Sequence, residues 1–378
     1  MRLVSLEYSE HVNEPQEWTL SDLNLGQRNL VVGRNAAGKS RVLNIIHGLA
    51  QHLLGLRPAA MSGTYDAQFE DAGREVRYQL TFIDQEIAAE VLSIAGRELL
   101  NRQKDGYGTI YAEELKQPLS FQSPANVPAA TARRDYIQHP FLELLHGWAS
   151  STRYYQFGSS LGKDRLAVFI PTAGAVDERD QNQVVGILRN GLRDFDEDFR
   201  AAIQDDMNAV GYSIGYIELA PPISITFPIE QQLPATPMSI CVKESDLPGI
   251  TDQFSMSQGM YRVLALLIHL NYLLKRGSAS CLLIDDIGEG LDFDRSCRLI
   301  SLVRKKATSS SLQVILTSND RFVMNEVPLE EWTILKRKGN YVKVINRHNS
   351  GAIFEELRFT GMSNSALMEL GLLDEALH

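Results

Sequence analysis

The chain has 378 residues, 44% of them hydrophobic and 22% charged, and a formal net charge of −10. That length suits one large domain or a few lobes whose core needs no covalent staples. Three scattered cysteines (Cys241, Cys281, Cys297) with no CxxC pair exclude a disulfide framework and favour a reducing, cytoplasmic setting, and the acidic balance argues against polyanion binding by the whole surface.

The first residues, MRLVSLEYSEH, lack the basic, apolar and cleavage regions of a signal peptide. Residues 1–32 read as short strands, and the apolar run Asn29–Val32 ends at Gly33 as a buried strand would. Apolar residues at helical spacing follow over 39–56. Residues 64–84 alternate as a hairpin would: Tyr65, Ala67 and Phe69, then Val76, Tyr78, Leu80 and Phe82. Residues 86–101 are expected to be helical, and Thr109–Tyr111 a short strand. A Pro-, Ser- and Ala-rich loop is expected over about 115–135. Helices are expected over 139–150 and 177–208, then an alternating stretch over 211–228 with a Pro-rich loop at 221–237.

The last third has the plainest pattern. Gln258–Lys275 reads as a helix closed by Gly277, Cys281–Ile284 as a buried strand, Phe293–Ala307 as a helix and Leu312–Thr317 as a second buried strand. Trp332–Leu335 and Tyr341–Ile345, joined around Gly339-Asn340, predict a closing hairpin. The longest apolar stretch, Val263–Leu274, is too short to span a bilayer, so no membrane is expected.

Three patterns carry chemistry. Gly33-Arg34-Asn35-Ala36-Ala37-Gly38-Lys39-Ser40 is a full G-x-x-x-x-G-K-[ST] between a predicted strand and a predicted helix. Backbone N–H groups and the helix start hold phosphates in such a loop. Lys39 supplies a cation and the Ser40 hydroxyl a Mg²⁺ ligand. Cys281-Leu-Leu-Ile-Asp285-Asp286 is an apolar strand ending in acids, so Asp285 could hold Mg²⁺ and Asp286 could orient water. Read alone, it is equally an acidic turn after a core strand. Ser257-Gln258-Gly259 opens the predicted 258–275 helix, and by itself is an ordinary N-cap.

In their order these motifs resemble an ABC-type ATPase of the RecF/SMC/OLD-like branch, often described as an AAA-family ATP-binding protein. Gly33-x-Asn35-x-x-Gly38-Lys39-Ser40 is similar to that branch's phosphate loop, Ser257-x-Gly259 to its signature, Asp285-Asp286 to its D-E pair, and Gly290-Leu291-Asp292 to its D-loop. The resemblance implies an α/β P-loop NTPase head, a mixed central sheet flanked by helices, that binds ATP and Mg²⁺. It also implies a homodimer or higher homo-oligomer formed as an ATP sandwich. Lys39, Ser40 and Asp285 would act in cis. Ser257 and Gly259 would meet the γ-phosphate from the other copy, and Asp292 would lie across the seam.

The departures are informative. Ala36 replaces the usual second glycine. Asp286 replaces the usual glutamate and is one methylene shorter, so hydrolysis is expected to be slow, below roughly one turnover per second. Glu289, three positions on, is a substitute candidate. The family's switch histidine is missing near Ser318-Asn319-Asp320, where Asn319 can donate a hydrogen bond but cannot titrate. Gln85 and Gln156 are both candidates for the glutamine-loop residue. Tyr8 or Trp18 could stack on adenine, although core packing is the commoner fate of either. The basic clusters Arg133-Arg134, Arg304–Lys306 and Lys336–Lys338 are ordinarily solvated faces, so nucleic acid is only a candidate partner.

The expected domains are 1–84 and 241–345 as the two halves of the head, 85–240 as an inserted, mainly helical subdomain, and 346–378 as a tail. No heptads, HExxH or zinc cluster accompany them. In the runs Asp285–Phe293 and Thr317–Phe322 the chain also resembles stand-alone ATPase subunits of prokaryotic anti-phage defence systems, and that resemblance implies a separate effector protein, a nuclease or toxin, as the partner. A RecF/SMC-like DNA-repair ATPase that clamps DNA is the alternative. A transporter subunit or a small-molecule kinase explains fewer of the motifs.

Overall fold

The computed structural model describes residues 1–169, 175–225, 235–277, 281–358 and 363–369. The apolar alternations of the N-terminal third build β1 (Arg2–Glu10), β2 (Trp18–Asn24) and β3 (Arg28–Gly33), then α1 (Lys39–Leu53). An antiparallel meander follows: β4 (Ser62–Asp71), β5 (Arg74–Ile83), β6 (Glu86–Ile94), β7 (Arg97–Gln103), β8 (Tyr107–Ala112) and β9 (Gln117–Gln122). The chain crosses back through α2 (Ala129–Ala132) and α3 (Leu142–Ser151) into β10 (Thr152–Gln156).

Next come β11 (Ala167–Val168), α4 (Val184–Val210), β12 (Ile214–Ala220), β13 (Pro237–Glu244) and β14 (Thr251–Asp252). The C-terminal third contains α5 (Gln258–Arg276), β15 (Cys281–Asp285), α6 (Phe293–Thr308), β16 (Gln313–Thr317), α7 (Arg321–Glu326), β17 (Trp332–Lys338) and β18 (Tyr341–Asn346). It closes with α8 (Arg347–Arg358) and α9 (Asn364–Glu369). The Pro-rich stretch expected at 221–237 lies partly outside the described residues.

Fourteen strands form one sheet in the order β10-β15-β16-β3-β17-β18-β2-β1-β4-β5-β6-β7-β8-β9. The first five are parallel, and everything from β1 to β9 in that order is an antiparallel ribbon. A second sheet of four strands centres on β13. Burial explains the difference in sequence pattern. β15 is buried along its whole length. Its Leu282 and Ile284 join the core under α4, α5 and α6, while Cys281 and Leu283 join the core on the α1 side. β4 and β5 bury one face only, which is why they alternate. Among the described residues, no helix is long and apolar enough to cross a membrane.

The expected helix over 86–101 is instead the β6–β7 hairpin. Its turn at Ala95-Gly96 has φ of 49° and 76°, and Ile87, Leu92 and Leu100 are buried against the neighbouring strands. The alanines and glutamates of EIAAEV favour a helix locally, but pairing with β5 overrides that preference. β9 likewise forms where only a loop was expected. The region 85–240 is therefore not a mainly helical insertion: its first part widens the sheet, and β10 returns to pair with β15. A buried charge cluster pins the return. Glu90 accepts from Ala129 N (2.6 Å), Ala130 N (2.8 Å) and Tyr78 Oη (2.9 Å). Arg102 donates to the Val127 and Pro124 carbonyls at 2.7 and 2.6 Å.

Candidate functional site

The parallel half of the sheet aims the C-terminal ends of β10, β15, β16 and β3 at one place. β3 stops at Gly33 because the chain is crowded there: a Cβ would lie 3.0 Å from both Ala37 Cβ and the Leu335 carbonyl. The loop then turns through left-handed residues at Ala36 (φ 63°) and Gly38 (φ 106°) into α1. Ala36 thus takes up a conformation that glycine accepts more readily. Trp18 lies beneath the turn, 3.3 Å from where a Gly38 Cβ would be. It is only 1% exposed and carries the Arg41 guanidinium over its ring at 4.3 Å. Tyr8 is buried beside it. Both aromatics are core residues, not free platforms for a base.

The start of α1 suits an anion. Gly38 supplies no side-chain cap, and no acidic residue stands in the first turn. The first N–H groups of a helix have no partner within it. Lys39 curls over the loop and donates from Nζ to the Gly33 carbonyl at 2.9 Å and the Arg34 carbonyl at 3.4 Å. Burial lowers its pKa, against the opposing pull of Asp286 and Asp285. Arg34 and Asn35 are exposed at the loop's outer edge. Arg337 on β17 donates to the Ala36 carbonyl at 3.2 Å and braces the loop from the side.

Asp285 is the hub. Ser40 Oγ donates to its Oδ1 at 3.0 Å, and Thr317 Oγ1 donates to the same oxygen at 2.6 Å. Tyr154 Oη reaches the other oxygen at 3.5 Å; burial, helped by the Asp285 charge, pushes the Tyr154 hydroxyl up to about 12. A hydroxyl beside a carboxylate is a hard-oxygen pair of the kind Mg²⁺ accepts. Asp286 takes a left-handed conformation (φ 52°), which aspartate tolerates better than most residues. Its N–H donates to Thr317 Oγ1 at 2.8 Å, and its carboxylate accepts from Asn319 Nδ2 at 3.3 Å. Burial and the charges of Asp285 and Glu289 raise its pKa, while Lys39 lowers it. Asp286, Glu289, Gly290 and Asn319 share the wall of a cavity of about 410 Å³.

The structure separates the two glutamine candidates. Gln156 ends β10 as the register partner of Asp285. Gln85 sits in the β5–β6 turn of the antiparallel ribbon. Thr317 and Tyr154 also reach the centre, and Arg337 braces the loop from the side; none was expected there from the sequence. Thr317 carried a weak signal, since it ends the strand leading to Ser318-Asn319. Tyr154 carried no local signal, and Arg337 stood out only as part of the basic cluster Lys336–Lys338.

Ser257, Gln258 and Gly259 are elsewhere. They open α5 and line a second cavity, of about 540 Å³, together with Tyr212 and Asp292; it adjoins the first at Gly290 and Leu291. Ser257 Oγ accepts from Met260 N at 3.2 Å and so is an N-cap. Asp292 caps α6 by accepting from Arg295 N at 3.0 Å. That backbone bond, followed by the Arg295 side chain, lowers its pKa. Gly259 packs on the Gly290–Leu291 segment, where a Cβ would come within 3.0 Å of Leu291 Cδ2 and 3.1 Å of the Gly290 carbonyl.

Mixed sheet, phosphate-type loop, acidic strand end and capped second helix are now in place. The fold, a large mixed sheet flanked by helices, is of the kind found in Smc head domains. It is similar to an Smc head bound to the C-winged helix domain of ScpA, with a TM-score of 0.55 and 13% identity over 91% of this chain and 97% of that one. It is also similar to a Pyrococcus furiosus Smc head with an extended coiled coil, bound to the C-terminal domain of ScpA, with a TM-score of 0.52 and 12% identity over 94% and 99%. No family model and no curated protein matches the chain. At such identity the likeness is one of fold, and the roles of individual residues in this head rest on its own geometry.

Proposed function

We propose that this head binds ATP with Mg²⁺, hydrolyses it slowly, and works as an ATP-dependent dimerisation switch. The observation that carries this reading is the meeting of the Ser40 hydroxyl with the Asp285 carboxylate at 3.0 Å, between a loop with open helix donors and a strand end with a second acid. The Gly33–Gly38 amides and Lys39 would hold the phosphates. Bound Mg²⁺ would neutralise phosphate charge and polarise the phosphoryl oxygens. Ser40 and Asp285 would hold the ion, with phosphate and water oxygens completing its shell. Asp286, and Glu289 beside it, would orient the attacking water, and Asn319 would donate to phosphate without titrating. Ser257, Gly259 and Asp292 face a different cavity, which suits their use on the nucleotide of a second copy. ATP would then favour the closed dimer by binding it better than the open heads.

The downstream role we favour is control of a separate effector, a nuclease or toxin, in a prokaryotic anti-phage system. It rests on the resemblance of the Asp285–Phe293 and Thr317–Phe322 runs to ATPase subunits of such systems. A second reading is an SMC-like clamp on DNA, and the fold likeness to Smc heads favours it no less. The solved heads engage ScpA, which supports a protein partner in either case.

Light scattering of Asp286→Asn with and without ATP and Mg²⁺ tests the switch. A doubling of mass on ATP addition, abolished by adding Ser257→Arg, is the expected result. An unchanged single-chain mass with ATP bound would overturn it. DNA-stimulated hydrolysis would favour the clamp over the effector switch.

A further inference from the structure

Arg262 stands in the second turn of α5 and joins three segments. Its Nε donates to the Ser159 carbonyl at 3.1 Å, and its Nη2 donates to the Gly158 carbonyl. Both carbonyls lie in the loop that leaves β10 after Gln156. Its Nη1 donates to the Glu289 carbonyl at 3.0 Å, in the loop that leaves β15 after Asp285. Gln258, at the head of the same helix, adds a bond to the Ser159 carbonyl at 3.4 Å. A guanidinium can serve several acceptors because its five donors lie in one rigid plane.

The junction is closely fitted on both sides. A Cβ at Gly158 would overlap the Glu289 carboxylate, so that carboxylate lies directly over the first loop. Gly290 has φ of 79°, and a Cβ there would lie 2.9 Å from Arg262 Nη1. The loop after β10 is itself tied to the acidic strand, because Phe157 N donates to the Asp285 carbonyl at 3.0 Å. The ends of β10 and β15 and the start of α5 therefore meet at one side chain.

We propose that Arg262 is a positioning residue that couples the Gln156 and Asp286–Glu289 strand ends to the Ser257–Gly259 helix start within one chain. A change at the phosphate-facing ends then moves the surface offered to a second copy. The inference rests on the ATP-switch reading and adds the internal link that reading needs.

The test uses the full chain carrying Arg262→Met. Affinity for a fluorescent ATP analogue stays within about twofold, because Arg262 touches neither the Gly33–Ser40 loop nor Asp285. ATP-dependent dimerisation, read by light scattering in the Asp286→Asn background, weakens by roughly tenfold or more, the scale of losing charge-assisted bonds. In the otherwise native chain kcat falls with KM nearly unchanged. Arg262→Lys keeps the charge but not the planar fork, and restores only part of the effect. Gly158→Ala disturbs the same junction without altering α5, and gives the same split even where the Arg262 variant is poorly folded. Native-like dimerisation and kcat in both Arg262→Met and Gly158→Ala would overturn the coupling and leave the switch reading standing. A parallel loss of nucleotide affinity would also overturn it, since that marks a merely structural residue. No ATP binding by the unsubstituted chain would overturn both.

Discussion

Two helix starts in this head carry glycine and serine, and they are finished in opposite ways. α1 begins after a left-handed Gly38 with no side-chain cap and no acid in its first turn. α5 begins with Ser257 in extended conformation, its hydroxyl accepting from Met260 N. The first leaves its N–H donors for a ligand. The second satisfies one donor internally, and the serine O–H stays able to donate, because a hydroxyl can accept and donate together. The start of α1 thus stands open beside Lys39 and, through Ser40, Asp285, while the start of α5 is capped and lines a different cavity.

The strongest way to break this contrast is Lys39→Ala. It removes the ammonium from the cradle and is expected to weaken ATP affinity by roughly a hundredfold, measured by nucleotide titration, with little change in the Ser257 region. An affinity within a few fold of the native chain would mean the cradle is not the binding site. Thr317→Val comes next. It deletes the bond to Asp285 and strands the Asp286 N–H, at a cost of about 1–3 kcal/mol, read as a lower midpoint in chemical denaturation.

Ser257→Ala sharpens the contrast from the other side. Loss of the cap costs about 1 kcal/mol of stability and leaves single-chain nucleotide affinity unchanged. An affinity loss would place Ser257 in its own chain's nucleotide site.

The smallest expected effect is a pH dependence at Asp286. Burial and the neighbouring charges raise its carboxyl pKa above the ordinary 3.8. The folded chain therefore holds that proton more tightly than the unfolded chain, and the residue costs stability once pH rises through the folded value. Below the ordinary value the cost vanishes. Asp286→Asn should melt slightly higher than the native chain at pH 7–8, with the gap closing as pH falls toward 4. A constant gap across that range would show that burial and the neighbouring charges together do not raise the Asp286 carboxyl.

Much of this was legible in the sequence, because the signals are local. Phosphate-loop spacing, the apolar run ending in Asp285-Asp286, the strand alternations of 64–84 and the capping residue before α5 each act over a few residues, where backbone sterics and side-chain period decide the outcome. What only tertiary structure decided depends on pairing between distant segments. EIAAEV became a strand because β5 was there to pair with it. Gln156, not Gln85, reached the centre because β10 lies in parallel register with β15. Thr317, Tyr154 and Arg262 acquired partners for the same reason. Strand register and the meeting of loops across a sheet are fixed by which buried faces fit together, and that fit leaves no trace within any one stretch of chain.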